Sequence, residues 1–236
     1  MNISSNNHKF INVTLSISLV LFLFILMSIL IHSPLLKVID TAAHDWFLNH
    51  SGSPVMNFHS GWLTGYFTIF ARYCDIPTII VITIFIAIYY FIRKQYLLSV
   101  WMMSTVGFGG ILGIIMKHMV HRERPVNHLA LDSGFSFPSG HSLASTMLVM
   151  IVLLLIINIK KTSLRLTIRY ATLIIWISIL VSRLYFNAHY LSDVVGGVTF
   201  SAFWVLLLFN LYLFINEKVT NKISRNKPMM NTHKTI

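Results

Sequence analysis

Three cations, two histidines and one carboxylate stand out in a chain otherwise poor in charge: Lys117, Arg124 and Arg183, His141 and His189, and Asp193. Charged groups close to hydrocarbon are costly and usually functional. Guanidinium forks match phosphate oxygens two at a time, and lysine adds a compact point charge. Pro138-Ser139-Gly140-His141 lies just before a long apolar run. The pattern predicts the first turn of a helix there. Such a turn carries unpartnered N–H groups and positive dipole charge, a place to hold phosphate. Taken alone, the same four residues make an ordinary helix start, with Pro138 as breaker and Ser139 as N-cap. The cations together with the His189–Asp193 pair reverse that ranking.

The histidines supply the reaction. His189 and Asp193 are spaced i, i+4, so on a helix they share a face. A carboxylate on one ring N–H fixes the tautomer and leaves the other nitrogen free to attack. His141, on the helix-start loop, is placed to protonate a leaving oxygen. A nucleophile and an acid on opposite sides of a phosphate is the geometry of in-line displacement. His118, His121 and His128 do not form a strong ligand pattern, and no metal is expected. Ser139 lacks the nucleophile-elbow context of a serine hydrolase.

The elements that must position these groups are membrane helices. The 236 residues are 56% hydrophobic and 11% charged, against about 25% charged in a soluble domain. The expected fold is all-α: an integral membrane bundle of about six transmembrane helices. The apolar runs are 10–31, 76–92, 97–116, 142–159, 170–186 and 194–215. Asp75 is placed to cap the second, with Pro77 in its first turn. Gly109 and Gly113 form a small-xxx-small pair for close helix approach. Residues 35–50 are too polar to span and alternate at helical spacing. They read either as a short amphipathic helix in the interface or as a connecting helix packed on the core. Residues 55–73 stay ambiguous, and 160–169 reads as a short basic loop. The expected organisation is a cytoplasmic N-terminus over 1–9, a six-span domain over 10–215, and a basic, disordered cytoplasmic tail over 216–236.

Six spans put both termini on one side. That side carries twelve of the eighteen lysines and arginines, and only Glu217 of the seven acids. By the positive-inside rule it is cytoplasmic. The net charge of +11 then follows from topology, and nucleic acid is not an expected partner. The motif residues fall at the extracytoplasmic ends of the spans. The single cysteine, Cys74, rules out an internal disulfide.

Lys117-x6-Arg124-Pro125, Pro138-Ser139-Gly140-His141 and Ser182-Arg183-x5-His189-x3-Asp193 together resemble the three-part signature of the type 2 phosphatidic acid phosphatase family. Its superfamily includes the vanadium haloperoxidases and glucose-6-phosphatase. Every signature position, from 117 to 193, is filled. Size and short loops are most similar to the family's bacterial members that act on phosphatidylglycerophosphate, some of which also act on undecaprenyl pyrophosphate. The N-terminal half carries no matching motif. The resemblance implies that Lys117, Arg124, Arg183, Ser139 and the Gly140 N–H bind phosphoryl oxygens. It implies that His189 becomes a phosphohistidine, that Asp193 orients it, and that His141 protonates the leaving group and then activates water. No cofactor is implied. The expected activity is a multi-pass cell-membrane phosphatase acting on a lipid phosphate, with its site on the extracytoplasmic side. The alternatives are a vanadate-dependent peroxidase and a non-catalytic lipid-phosphate binding or transport protein. Substrate identity and oligomeric state stay open.

Overall fold

The computed structural model describes residues 5–129 and 133–225. Within them the regular structure consists of eight helices. They are α1 (Ser5–Leu30), α2 (Pro34–Ser51), α3 (Trp62–Tyr73), α4 (Ile76–Ile92), α5 (Tyr96–Val120), α6 (Gly140–Ile156), α7 (Thr162–Tyr185) and α8 (Leu191–Arg225).

Four of them, α1, α5, α7 and α8, are each long and apolar enough to cross a bilayer. α4 and α6 have 17 residues each, about 25 Å at the helical rise, somewhat short of a hydrocarbon core of about 30 Å. α3 joins α4 at a 59° bend. The ambiguous stretch 55–73 therefore resolves into a loop and this short helix. Asp75 caps α4 as expected, accepting a hydrogen bond from the Thr78 N–H at 2.9 Å.

Several helices run past their hydropathy boundaries, although α6 stops at Ile156, short of the expected 159. α8 runs on through the expected tail to Arg225, and α1 already begins at Ser5 inside the expected N-terminal segment. The expected basic loop 160–169 is mostly the first two turns of α7, which carry Arg165 and Arg169. Polarity marks where a helix leaves hydrocarbon. It does not end the helix unless a breaker follows. No glycine or proline occurs between Gly197 and Pro228, and α8 has no reason to stop at 215. Lys227 and Lys234 of the tail, and Asp132 between α5 and α6, lie outside the described residues.

α8 is the hub, packed against α1, α5 and α6, and also touching α2 and α7. Its core contacts include Val205 and Phe209, which join Met102 of α5 and Met147 and Ile151 of α6 in one buried cluster. Lipid tails are as apolar as these side chains, so close van der Waals fit has to hold the helices together. Glycines supply that fit. A Cβ on Gly113 would lie 2.8 Å from Leu143, and one on Gly109 only 2.5 Å from the Met147 sulfur. The expected small-residue pair is thus the seam between α5 and α6.

α2 packs against α7 and α8. Asp40 is 2% exposed, whereas Leu35, Ile39 and Trp46 point outward. The His44 ring bonds the Val126 carbonyl at 3.2 Å. Of its polar groups Asp40 and His44 turn toward the protein, whereas Lys37, Asp45 and His50 stay exposed.

Candidate active site

At one end of the bundle, the C-termini of α5 and α7 meet the N-termini of α6 and α8. Phe137 and Pro138, joined by a cis peptide, lead into α6. Ser139 is fully buried in the N-cap position, with its Oγ accepting from the Ser142 N–H at 3.4 Å and the Ser142 hydroxyl at 3.0 Å. Its own N–H donates to the Asp193 carbonyl at 3.1 Å, tying the start of α6 to that of α8. Two glycines allow this approach. A Cβ on Gly197 would lie 3.0 Å from the Ser139 carbonyl oxygen, and one on Gly196 would overlap the Phe137 ring.

The cations surround this cradle. Lys117 Nζ, on the last turn of α5, donates to the Phe135 carbonyl at 2.7 Å. Arg124 Nη1 donates to the Ala188 carbonyl at 2.6 Å, and Nε to that of Gly134 at 3.0 Å. Arg183, in the last turn of α7, is 2% exposed. His141, in the first turn of α6, lies within electrostatic reach of Arg183, His189, Arg124 and Lys117. Its buried Nε2 makes no hydrogen bond to the described residues. All eight sequence-predicted residues thus lie in one region. His118 and His121 instead pack edge-on against Phe135, and His128 bonds the Pro125 carbonyl at 2.9 Å.

His189 sits in the turn before α8, so it and Asp193 are not both on the helix. Asp193 Oδ2 is 3.6 Å from His189 Nδ1, too far for a good hydrogen bond. Ser136 bridges them. Its Oγ lies 3.3 Å from His189 Nδ1 and donates a short bond to Asp193 Oδ2.

Donor logic fixes the tautomer. Arginine only donates and a carboxylate only accepts. Arg124 Nη1 lies 3.3 Å from His189 Nε2, so Nε2 presents its lone pair. The ring proton is then on Nδ1 and donates to Ser136, which passes its own proton toward Asp193. Burial pushes the His189 imidazole from its usual 6.5 down to about 4. Asp193 pulls it up, and the Arg124 and Lys117 charges push it further down. The neutral ring with a free Nε2 is therefore the resting form at neutral pH.

The sequence reading missed Ser136, Arg122, Asp40 and Ser192. Arg122 Nη1 bonds Asp193 Oδ1 and Ser192 Oγ, each at 2.6 Å, and Nη2 bonds Asp40 Oδ2 at 2.6 Å. Asp40 also accepts from the Ser192 N–H at 2.9 Å and its hydroxyl at 2.6 Å. Two acids in a chain with only seven, Asp40 and Asp193, converge on one arginine. Their scarcity was the available signal. The partners lie too far apart in sequence for spacing to pair them.

An apolar groove of about 330 Å³ runs between α4, α5 and α6. Ile80, Val106, Gly110, Leu143 and Met147 line it, and Lys117, Pro138 and Gly140 line its end at the cation cluster.

Residues 98–217 match the family model described as the PAP2 superfamily. A Bacillus subtilis (strain 168) protein named phosphatidylglycerophosphatase B is 31% identical over 121 residues, 50% of this chain. The match spans 58% of that relative's length. The chain also resembles the crystal structure of the first transmembrane PAP2 type phosphatidylglycerolphosphate phosphatase from Bacillus subtilis. That likeness has a TM-score of 0.62 at 27% identity and covers 86% of this chain and 96% of the other.

Proposed function

This chain belongs to the PAP2 superfamily, and from that premise we propose that it is a membrane lipid phosphatase that works through a phosphohistidine intermediate. The observation that carries the reading is the state of His189: a neutral imidazole whose Nε2 lone pair opens on the cations while Nδ1–H is held through Ser136 to Asp193.

In the proposed reaction, Lys117, Arg124, Arg183, Ser139 and the Gly140 N–H hold the phosphoryl oxygens. The fixed positive charges stabilise the extra negative charge of the transition state without reorganising. His189 Nε2 attacks phosphorus, and the bond to the leaving oxygen breaks in line. The negative charge of the bound phosphate favours the protonated form of His141, which gives the leaving oxygen its proton. The neutral His141 then takes a proton from water. The hydroxide attacks the phosphohistidine, the P–N bond breaks, and phosphate leaves. Ser136 and Asp193 keep the ring oriented through both steps.

The groove supports a lipid substrate, because an apolar channel ending at the anion site fits a hydrocarbon chain attached to a phosphate. From Met103 to Lys117 it follows α5 for about 21 Å. We take phosphatidylglycerophosphate as the leading substrate, in keeping with the names of the two relatives, with lipid pyrophosphates and phosphatidic acid as the other members of the class. The site is proposed to face the extracytoplasmic side, with both termini in the cytoplasm.

The test is phosphate release by purified protein from these lipids, beside the His189→Ala variant. Wild type should release phosphate and form an acid-labile, base-stable phosphoenzyme. The alanine variant should do neither while still inserting in membranes. Turnover retained by His189→Ala would remove the nucleophile assignment.

A further inference from the structure

Arg122 lies between the attacking histidine's support and α2. It falls outside the signature positions, although it is only two residues before Arg124. One arm of its guanidinium holds Asp193, which is fully buried, and the other holds Asp40, which is 2% exposed. Its central carbon lies over the Tyr190 ring, 4.4 Å from the centroid. Asp40 also fixes the backbone and hydroxyl of Ser192 beside it. A planar fork held at both ends and over one face has little freedom left.

We propose that Arg122 is a positioning residue for the reaction, holding Asp193 in the orientation that sets the His189 ring and taking its own orientation from Asp40 on α2. Four links join helix to nucleophile. Asp40 anchors Arg122, Arg122 anchors Asp193, Asp193 anchors the Ser136 hydroxyl, and that hydroxyl anchors His189 Nδ1. Three of these links are charge-assisted. The arginine also balances a carboxylate that would otherwise act alone on His189. The charged and titratable groups around His189 are Lys117 from α5, Arg122 and Arg124 from the following loop, His141 from α6 and Arg183 from α7. Tyr190 and Asp193 face it at the start of α8, and Asp40 stands behind Arg122. Losing Arg122 removes one positive charge and leaves Asp193 less compensated. Both changes make His189 more basic.

The rate arm of the test rests on the phosphatase reading, and the titration arm does not. The Arg122→Gln, Arg122→Lys and Asp40→Asn variants are purified in detergent beside wild type. Histidine-labelled protein is titrated by NMR without substrate, with His189→Ala used to assign the signal. In Arg122→Gln the His189 titration should rise by about one pH unit. Its kcat should fall about tenfold or more, with KM changing less than about threefold. Arg122→Lys keeps the charge and loses the fork, so it should return the titration toward wild type while kcat stays low. Asp40→Asn should lower kcat without raising KM, and it serves where Arg122→Gln does not fold. A His189 titration and a kcat both equal to wild type in Arg122→Gln would overturn the proposal, as would a wild-type kcat in Asp40→Asn where that variant stands in. A moved titration in a protein whose wild type releases no lipid phosphate would instead overturn the phosphatase reading and leave the linkage standing.

Discussion

His189 is the residue on which most depends, and its chemistry is set by what its two nitrogens face. Nε2 faces a guanidinium that can only donate, and Nδ1 faces a hydroxyl committed to a carboxylate. Its folded value of about 4 lies below the ordinary 6.5. Between those values the unfolded chain binds a proton there and the folded chain does not, so this group costs stability as pH falls through that window. The reactive neutral form persists until pH nears 4. The acid limb of kcat/KM, which reports the free enzyme, should therefore fall near pH 4 to 5 and not near 6.5. A pH–rate profile on a soluble short-chain phosphate ester checks this. The types and spacing of the eight predicted residues were legible in the sequence because each lies close to a motif. Ser136, in the same stretch as Ser139, was not legible as the bridge, because nothing in its spacing shows that Asp193 stops short of hydrogen-bond distance.

At the scale of helices, the site exists because small residues let two N-termini come together. Gly197→Val should push α8 away from the Ser139 carbonyl, at an overpacking cost of about 1–3 kcal/mol. We expect phosphate affinity and turnover to fall together, read from KM and kcat on one substrate. On the groove side, Gly110 has nothing within 4 Å of where a Cβ would stand. Gly110→Leu should fill that space, raising KM for long-chain lipid phosphates while leaving short-chain esters unaffected, in a chain-length series. Hydropathy located each apolar helix but misplaced the ends of α7 and α8, because it reports the solvent and not the backbone. It also left the setting of α2 open between interface and core. No hydropathy pattern reveals that Asp40 has a half-buried arginine as its partner.

At the scale of the whole molecule, α8 is about 52 Å long, well beyond the thickness of a hydrocarbon core. Its polar end, which carries Glu217, Lys218 and Lys222, extends past the last apolar turns. The excess of basic residues on that side sets the expected orientation. A reporter fused after Ile236 should read cytoplasmic, and a cysteine introduced at exposed Val126 should react with an impermeant reagent from outside. External reading of the reporter would invert the orientation. The bonds from Asp40 to Ser192 join positions 152 residues apart, and they bear on how the protein is made. α2 leaves the ribosome early, yet its carboxylate stays without these partners until the last helix enters the bilayer. A chain halted before residue 189 carries Lys117, Arg124 and Arg183 but neither His189 nor Asp193. On the proposed mechanism such a chain would hold the anion-binding half without the attacking half, and turnover would arrive only once α8 is made.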